Sequence, residues 1–388
     1  MNKKVTVLGG GFAGVEAAIY LRKKGIEVTL ISDRDYLYIY PISIWIPVSK
    51  LKFEDATIPL AKLQKKHGFD LIVDRVEKIN AKENQVILGT QTISYDYLVV
   101  ALGASKIKSP GLENTLSICG QPDQSVLMKE RFDALLAKGS GKIAIGYGGN
   151  PKDKSGVRGG PAFEILFNFL DVLKKKKLRD NFEITFFAPM KDLGKRMGKS
   201  GFQMLDKMFE KEGIHKRTGK KIKEFQPNAV VFEDDSVLES DYIMYIPAST
   251  GHHVLEESCL PMSDSGFIKI DDHCQVEGFD NMYAVGDIAL LEGPDWVAKQ
   301  GHIAEVMAKN SAYNINEQMK GSSKRKGFSE HLNILCVMDT GNGAAMTYRK
   351  DEKDFIIPMP ILGHWLKKGW GFYYKNTKLG RMPRIPGM

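Results

Sequence analysis

Three glycines near the start of the sequence have the spacing of a dinucleotide-binding turn. Gly9-x-Gly11-x-x-Gly14 lies between an apolar run at 4–8 and a segment with the apolar spacing of a helix. In a βαβ unit, Gly9 allows the tight turn, Gly11 lets the backbone approach a pyrophosphate, and Gly14 lets helix and strand pack closely. The helix N-terminus favours the negative charge. The pattern predicts a dinucleotide site, with a glycine turn that holds no ligand as the alternative.

The residue expected to hold the ribose of such a nucleotide lies at the end of the second predicted strand, 27–32. Rossmann-type sites use an acid there, because its carboxylate accepts hydrogen bonds from the ribose hydroxyls. Ser32 stands at this position and Asp33 follows it. Both are candidates for the ribose contact, and Asp33 is equally interpreted as a solvated loop acid.

The thiols of the sequence are far apart. Cys119, Cys259, Cys274 and Cys336 form no C-x-x-C pair and have no spacing typical of a zinc site or a c-type haem. We therefore predict neither a disulfide scaffold nor a metal site. Cys336 lies on an apolar run before a glycine turn, where an inert buried cysteine is the alternative to a reactive one.

A second strand and glycine turn begin at Gly141, but this turn does not lead directly into a helix. The segment 151–160 comes before the predicted helix 161–177, and the next strand, 183–187, ends in Ala188-Pro189 without an acid. Since NAD binding uses both the phosphate turn and the ribose acid, we predict that this second unit does not bind NAD(P)H.

The order of predicted strands and helices indicates an α/β protein with two Rossmann-like dinucleotide-binding domains. We assign 1–110 and 240–330 to the first domain, 111–239 to the second, and 331–388 to a C-terminal amphipathic segment. A chain of 388 residues has room for two or three domains, and its composition, 43% hydrophobic and 26% charged, is typical of a globular protein.

The formal net charge of +8 is concentrated in the C-terminal segment. Residues 361–388 contain Lys and Arg but no acid, so the rest of the chain is close to neutral. We therefore predict no nucleic-acid partner. Aromatic residues alternate with these cations, as in an interfacial membrane anchor. The alternative is a strap whose aromatic side chains pack on the core while its lysines remain in water.

Membrane association, where it occurs, is predicted to be peripheral. The longest apolar stretch, 36–49, is interrupted by Pro41 and Pro47 and is shorter than the roughly 20 residues that a spanning helix needs. The first strand begins too soon after Met1 to leave room for a signal peptide. We expect a protein of the cytoplasm or of the membrane surface that faces it.

Taken in order, the motifs resemble those of the two-dinucleotide-fold flavoproteins, and within them the sulfide:quinone oxidoreductases. The resemblance covers nearly the whole chain. Its markers are Gly9 to Gly14, Tyr40-Pro41 with Trp45, 95–104, 117–119, 160–164, 283–287, 298–301, 336–341, and His364-Trp-Leu-Lys followed by aromatic residues.

This resemblance implies that the first domain binds FAD. The implied FAD contacts are Gly9, Gly11, Gly14, Ser32, Asp33, Pro41, Ala101, Gly103, Gly286, Asp287 and Lys299. Asp287 is expected near the ribityl chain, and Lys299 near the pyrimidine end of the flavin, where a cation stabilises the reduced ring. Without the family context, Asp287 is also interpreted as a turn or cap acid and Lys299 as a solvated lysine.

The resemblance also implies catalytic roles for Cys336, Cys119, Glu164 and Lys299. Glu164, at the start of a predicted helix, matches a proposed proton donor to the quinone. Cys336 matches one of two facing cysteines that react with sulfide, but Arg158 occupies the other position, and a guanidinium cannot accept sulfur. Cys119 matches a third family cysteine, which in some members tethers the flavin, and Cys119 is expected either to do the same here or to act as a distant redox partner.

The substitution by Arg158 changes the expected chemistry at Cys336. A nearby cation lowers the pKa of a thiol. We therefore expect Cys336 to act as a single thiolate with an external thiol or polysulfide as acceptor, or the site to use another donor.

The function implied by the resemblance is a peripheral cell-membrane flavoenzyme of sulfur metabolism. It would pass two electrons from sulfide, or a related sulfur donor, through FAD to a membrane quinone, with Trp370 and Tyr374 as quinone contacts. A homo-oligomer is compatible with this interpretation. One alternative is a type II NADH:quinone dehydrogenase, which the interrupted second glycine motif disfavours. Another is a non-catalytic or regulatory flavin-binding relative. It is suggested by Arg158 and by Asp123 and Lys195, which stand at the positions that match two histidines of the family.

Overall fold

The computed structural model describes residues 3–384. Its strands are β1 (Lys4–Leu8), β2 (Glu27–Ser32), β3 (Tyr36–Tyr38), β4 (Thr57–Pro59), β5 (Asp70–Val73), β6 (Val76–Asn80), β7 (Gln85–Leu88), β8 (Thr92–Ser94), β9 (Tyr97–Val100), β10 (Ser105–Lys106), β11 (Gly141–Tyr147), β12 (Phe182–Ala188), β13 (His215–Thr218), β14 (Ile222–Gln226), β15 (Ala229–Phe232), β16 (Val237–Glu239), β17 (Tyr242–Ile246), β18 (Ser249–Thr250), β19 (Met282–Ala284), β20 (Ile334–Asp339), β21 (Gly343–Lys350) and β22 (Lys353–Pro360). Its α-helices are α1 (Phe12–Lys23), α2 (Tyr40–Ser43), α3 (Leu60–His67), α4 (Gln124–Lys138), α5 (Gly160–Lys175), α6 (Lys199–Lys211), α7 (Gly301–Met319) and α8 (Leu362–Lys378).

The first sheet is parallel, with strand order β19-β9-β1-β2-β5. The apolar residues of β1 and β9 are buried because helices cover the sheet, as is usual for parallel sheets. The glycine turn joins β1 to α1, and α1 packs along α7. A Cβ atom at Gly14 would collide with the carbonyl oxygen of Gly9, so the close packing predicted for this glycine is present.

The second sheet is also parallel and has strand order β13-β12-β11-β17. The prediction of an α/β fold with two Rossmann-like units is confirmed. The domain boundary at 240 is wrong, however, because β17 pairs with β11, with Ile143 opposite Tyr242. The chain returns to the first sheet only with β19. A short buried apolar run does not reveal which of two parallel sheets it joins, and this is why the boundary was misplaced.

Three antiparallel strands, β20, β21 and β22, form a separate sheet near the C-terminus. Helix α8 packs against all three strands, and α5 of the second domain contacts β20. Residues of β20 and α8 are therefore held beside the second domain. No helix within residues 3–384 is long and apolar enough to cross a bilayer.

Helix α8 buries two lysines and exposes two large aromatic residues. Lys367 and Lys378 are buried, whereas Trp365 is 63% exposed and Phe372 is 67% exposed. The strap alternative, with aromatic residues inside and lysines in water, is therefore wrong at these four positions. Carboxylates on neighbouring elements pair with both lysines and make their burial tolerable.

The end of α8 is fastened to the first domain by a cluster of four buried or half-buried charges. Lys378 pairs with Glu16 on α1 and, at 2.6 Å, with Glu305 on α7. Arg384 pairs with the same two carboxylates, at 3.1 Å for Glu305. The charges balance, which offsets the cost of removing Glu16 from water.

Candidate functional site

A cleft of about 3180 Å³ is lined by residues of both Rossmann-like units, β20 and α8. Most of the residues predicted for the site lie on its walls. These are Gly9, Gly11, Asp33, Pro41, Ala101, Gly103, Cys119, Glu164, Gly286, Asp287, Lys299, Cys336 and Trp370. Gly14, Ser32 and Tyr374 lie behind these walls. Residues distant in the sequence are therefore brought together around one space.

The glycine turn forms one end of the cleft and fits a pyrophosphate. Gly9 has φ +109, a conformation that favours glycine. No atom lies within 4 Å of a Cβ atom placed on Gly11, so a ligand can reach the backbone there. Gly11 is also the N-cap of α1, and no side chain caps this helix. The first N–H groups of α1 are thus free to bind an anion.

The structure distinguishes the two candidates for the ribose contact. Ser32 is buried behind the turn, and a Cβ atom on Gly10 would collide with its hydroxyl. The Ser32 Oγ accepts a hydrogen bond from the Arg34 N–H at 3.2 Å. Asp33 lines the cleft, and its side chain is 61% exposed. The carboxylate available to a ribose is therefore that of Asp33.

Lys299 lies at the other end of the predicted nucleotide site, just before α7. It is buried, its Nζ donates a hydrogen bond to the Ala289 carbonyl, and it lies 3.9 Å from the centroid of the Phe267 ring. Burial lowers the pKa of Lys299 to about 7. The interpretation of Lys299 as a solvated lysine is wrong. Its position beside the uncapped N-terminus of α7 favours a ligand group that carries negative charge.

Arg158 lies in the loop before α5 and forms an ion pair with Asp287. The charged groups that act on the Cys336 thiol are others, Glu164 and Lys367. Burial raises the pKa of Cys336 to about 11, the nearby Glu164 carboxylate raises it further, and Lys367 opposes this shift. The expectation that Arg158 lowers the pKa of Cys336 is therefore wrong. Electrostatically, the neighbours of this thiol are Glu164 and Lys367.

Glu164 and Lys367 form a buried ion pair on the wall of the cleft. Glu164 lies in the first turns of α5, and its Oε1 accepts a hydrogen bond of 2.8 Å from the backbone N–H of Asp339. Burial raises the pKa of Glu164 above its ordinary range, although Lys367 opposes this shift. An acid with a raised pKa and an ammonium partner can exchange protons with a ligand in the cleft.

Sequence reasoning missed Lys367, which it treated as one of the tail cations. The signal was present: His364 and Lys367 are three residues apart and therefore share a face of α8. Asp339 was missed because its only sequence signal is its place before a glycine turn. Its side chain is fully buried and binds His364.

Cys119 faces the cleft from the loop between β10 and α4. All four cysteines are in the described residues, and all are free thiols. Lys106 also lines this part of the cleft; burial lowers its pKa to about 8, Arg158 lowers it further, and Cys119 opposes the shift. Cys119 thus belongs to a wall that also carries Lys106 and Arg158.

The two predicted quinone contacts are placed differently. Trp370 lines the cleft, and its ring centroid is 5.2 Å from that of Tyr374. Tyr374 is buried and stacks on Phe12, the first residue of α1, with the centroids 4.8 Å apart. Trp370 can therefore touch a ligand directly, while Tyr374 links α8 to the glycine turn.

The architecture and the glycine turn define a class of nucleotide-binding oxidoreductase. A family model described as pyridine nucleotide-disulphide oxidoreductase matches residues 3–310. The chain belongs to this family, is an oxidoreductase and binds FAD, for which the open glycine turn, Asp33 and the two uncapped helix N-termini provide a fitting site.

Among its relatives, the chain is 27% identical to the sulfide-quinone reductase of Aquifex aeolicus, over 97% of this chain and 89% of that protein. It is 22% identical to a type II NADH:quinone oxidoreductase of Staphylococcus epidermidis, over 90% and 91% of the two chains. The crystal structure of the sulfide:quinone oxidoreductase from Aquifex aeolicus has the same fold, with a TM-score of 0.87 at 23% identity over 98% of this chain and 92% of that one. The resemblance to the sulfide:quinone oxidoreductases is confirmed.

Proposed function

We propose that the protein passes two electrons from sulfide, or a related sulfur donor, through FAD to a membrane quinone. One observation carries this proposal: Cys336, Glu164 and Lys367 come together from β20, α5 and α8 on the wall of the cleft that also contains the glycine turn. A thiol that can bond to sulfur once it loses its proton thus lies beside a pair that can exchange protons with it and with a quinone. The bound FAD would supply the two-electron acceptance that couples the two reactions.

The overall reaction balances with an external thiolate as sulfur acceptor. Hydrosulfide, a thiolate, a quinone and one proton give a persulfide anion and a quinol. Hydrosulfide loses two electrons and one proton, its sulfur joins the thiolate, and the quinone gains both electrons and two protons. One of these protons comes from hydrosulfide and the other from water, so the site must deliver a proton from solvent.

The residues of the chain have separable roles in this proposal. Hydrosulfide and the Cys336 thiol would join as a persulfide, with the thiol proton passing to the neighbouring Glu164 and the two electrons to FAD. The external thiolate would then take the outer sulfur and leave Cys336 as a thiolate that regains its proton. Glu164 and Lys367 donate to the quinone oxygen, while Trp370 packs against its ring. Arg158 stands where the resemblance expects a second cysteine, and its charge is balanced by Asp287.

Anaerobic titration tests the proposal. Sulfide is expected to bleach the oxidised flavin band, and a short-chain ubiquinone is expected to restore it. Cys336→Ser should abolish the bleaching, whereas Cys259→Ser, which changes an exposed cysteine outside the cleft, should leave it intact. An inert flavin would reject the sulfur donor, and rapid bleaching by NADH would support the type II dehydrogenase instead.

We further propose that α8 and the sheet of β20, β21 and β22 lie on a membrane surface from which the quinone enters. Exposed apolar side chains cluster on these elements, and we call them the apolar face. They are Leu335, Phe355, Ile357, Ile361, Leu362, Trp365, Leu366 and Phe372. Leu335, Leu362, Trp365 and Leu366 also line the cleft, so the mouth of the cleft opens within this face. A face of this kind, flanked by cations, suits the boundary of an anionic bilayer.

Vesicle co-sedimentation tests this orientation. We expect binding to vesicles of mixed neutral and anionic lipid, and weaker binding for Trp365→Ser with Phe372→Ser. Val237→Ser is the matched control, because Val237 is 51% exposed on β16 and lies outside the apolar face. Equal binding of all three proteins would reject the proposed face.

A further inference from the structure

Asp339 and His364 form a buried acid–histidine pair directly behind Glu164. The His364 Nδ1 lies 2.6 Å from the Asp339 Oδ2, and the Asp339 side chain is fully buried. The other oxygen of Asp339 accepts hydrogen bonds of 2.9 Å from the Asn168 amide and from the Gly341 N–H. Both oxygens of the Asp339 carboxylate therefore have hydrogen-bond partners.

The pair is joined to the cleft wall at two points. The backbone N–H of Asp339 donates to the Glu164 Oε1 at 2.8 Å, so the strand position of Asp339 sets the orientation of that carboxylate. His364 is three residues before Lys367 on α8, so the same contact fixes the face of α8 that carries the ammonium partner of Glu164. The Asn168 amide on α5 also donates to the Glu164 carbonyl at 2.9 Å, so it links Asp339 to the helix that carries Glu164.

These contacts keep Asp339 ionised. Burial alone would raise the pKa of Asp339, but the hydrogen bonds from His364, Gly341 and Asn168 hold it below its ordinary value. Loss of the His364 N–H would remove the largest of these opposing contributions. A protonated Asp339 would no longer hold its donors in place, and the N–H that orients Glu164 would be released.

The charged groups that face the pair come from three elements. Helix α5 contributes Glu164 and Asp171, the segment after α2 contributes Lys50, and α8 contributes Lys367 and Lys368. Lys50 donates to Asp171 at 2.9 Å and to the Gly341 carbonyl at 2.8 Å, and Lys368 lies over the Trp45 ring, which itself packs on His364.

We propose that Asp339 and His364 are positioning residues for quinone reduction, which act by holding Glu164 and Lys367 in the geometry for proton donation. The pair orders β20 against α5 and α8, and it acts through hydrogen bonding and not through proton transfer by the imidazole. This inference rests on the proposed function, because it assigns the pair to the quinone half of that reaction.

Three substitutions test the inference. Asp339→Asn removes the charge, His364→Phe removes the donor but keeps a ring against Trp45, and His364→Asn keeps an N–H donor near the Nδ1 position without a titrating ring. The reduced flavin, prepared with dithionite so that no sulfur donor is needed, is mixed with a short-chain ubiquinone. The rate of its reoxidation is measured by stopped flow as a function of quinone concentration and pH.

We expect Asp339→Asn and His364→Phe to slow the maximal reoxidation rate by about 10- to 100-fold, the range for a misplaced reacting group, with a smaller change in the half-saturating quinone concentration. His364→Asn should recover most of the rate and keep the unmodified pH profile. The control is His331→Phe, which removes the surface pair of His331 with Glu330, 3.4 Å apart. Flavin absorbance and thermal unfolding identify variants that fail to fold. If His364→Phe does not fold, Asp339→Asn alone tests the inference.

An unchanged reoxidation rate in His364→Phe and Asp339→Asn would overturn the inference and leave the proposed function intact. A rate in His364→Asn as slow as in His364→Phe would also overturn it, because that result requires proton transfer by the imidazole. Failure of the unmodified reduced protein to react with quinone would reject the proposed function and this inference with it.

Discussion

Two buried lysines of the same helix, Lys367 and Lys378, differ in what surrounds them. Lys367 pairs with one carboxylate, Glu164, and both side chains line the cleft. Lys378 pairs with two carboxylates, Glu16 and Glu305, and it does not line the cleft. The same residue type is thus used at one end of α8 on the cleft wall and at the other end behind it, where Glu305 is the one member of the four-charge cluster that lines the cleft.

The two buried lysines are therefore expected to affect different properties of the protein. A buried ion pair that is sealed from water is strongly destabilising when one partner is removed, because the remaining charge is uncompensated. A pair that faces a cleft can regain water or a ligand when a partner is lost. We therefore expect substitutions at Lys378 to reduce stability and substitutions at the Lys367 pair to reduce reaction rate.

The largest expected effect is that of Lys378→Met. It leaves Glu16 and Glu305 with only Arg384 as a counter-charge, and we expect a loss of about 3–5 kcal/mol in the free energy of unfolding. Urea unfolding of the flavin-loaded protein measures this change. A loss below about 1 kcal/mol, the range of exposed ion pairs, would contradict the idea that the burial of Lys378 and Glu16 makes this pair important for stability.

Glu164→Gln is expected to act on rate. Quinone-dependent reoxidation of the flavin should fall about 100-fold, because the acid that donates to the quinone is removed. The loss in unfolding free energy should be less than half of that for Lys378→Met, since Lys367 can be hydrated from the cleft. Stopped-flow reoxidation and urea unfolding of the same preparation separate the effect on rate from the effect on stability. A large loss of stability with an unchanged rate would contradict the proposed difference between Lys367 and Lys378.

Lys299 extends the comparison to a buried lysine that forms no ion pair with a carboxylate within residues 3–384. Its pKa is about 7 in the folded chain, against 10.5 for the free side chain, so between these values the unfolded chain holds a proton that the folded chain lacks. Stability relative to Lys299→Met should therefore rise with pH, by about 2 kcal/mol between pH 7 and pH 9. Urea unfolding of flavin-free protein at both pH values checks this, because an anionic cofactor nearby would raise the pKa again. A pH-independent difference would show that Lys299 keeps its ordinary pKa.

The smallest effect is expected for the exposed pair of Lys129 and Asp133 on α4, four residues apart with a 2.7 Å contact. Lys129→Met should change the unfolding free energy by about 0.3–0.5 kcal/mol, because both side chains are largely hydrated. This variant calibrates the urea measurements, and a change comparable to that of Lys378→Met would mean that burial does not explain the difference between the pairs.

Much of the fold could be predicted because local signals are strong where strands are buried on both faces. The glycine turn, β1, β2 and the interrupted second turn follow from residue types and spacing. The assignment of β17 to the second sheet could not be predicted, because its pairing with β11 depends on contacts about 100 residues apart in the sequence.

Site residues could be predicted where ligand binding requires a given residue type at a given spacing. They could not be predicted where two residues distant in the sequence are brought into contact only by the fold. Gly9, Gly11 and Asp33 follow from the needs of a nucleotide. The partnership of Glu164 with Lys367 joins residues 203 positions apart. The pKa of Cys336 is raised by burial and then adjusted by this pair, and no spacing in the sequence indicates either effect.

The contact of Lys378 with Glu16 spans 362 positions, nearly the whole length of the chain. On a ribosome, Glu16 of α1 is therefore made 362 residues before Lys378, and Arg384 is made later still. The edge strand β19 of the first sheet also comes late, at 282–284. The first domain therefore cannot mature independently during synthesis, and a chain truncated before Lys378 would have an α1 that lacks its counter-charges.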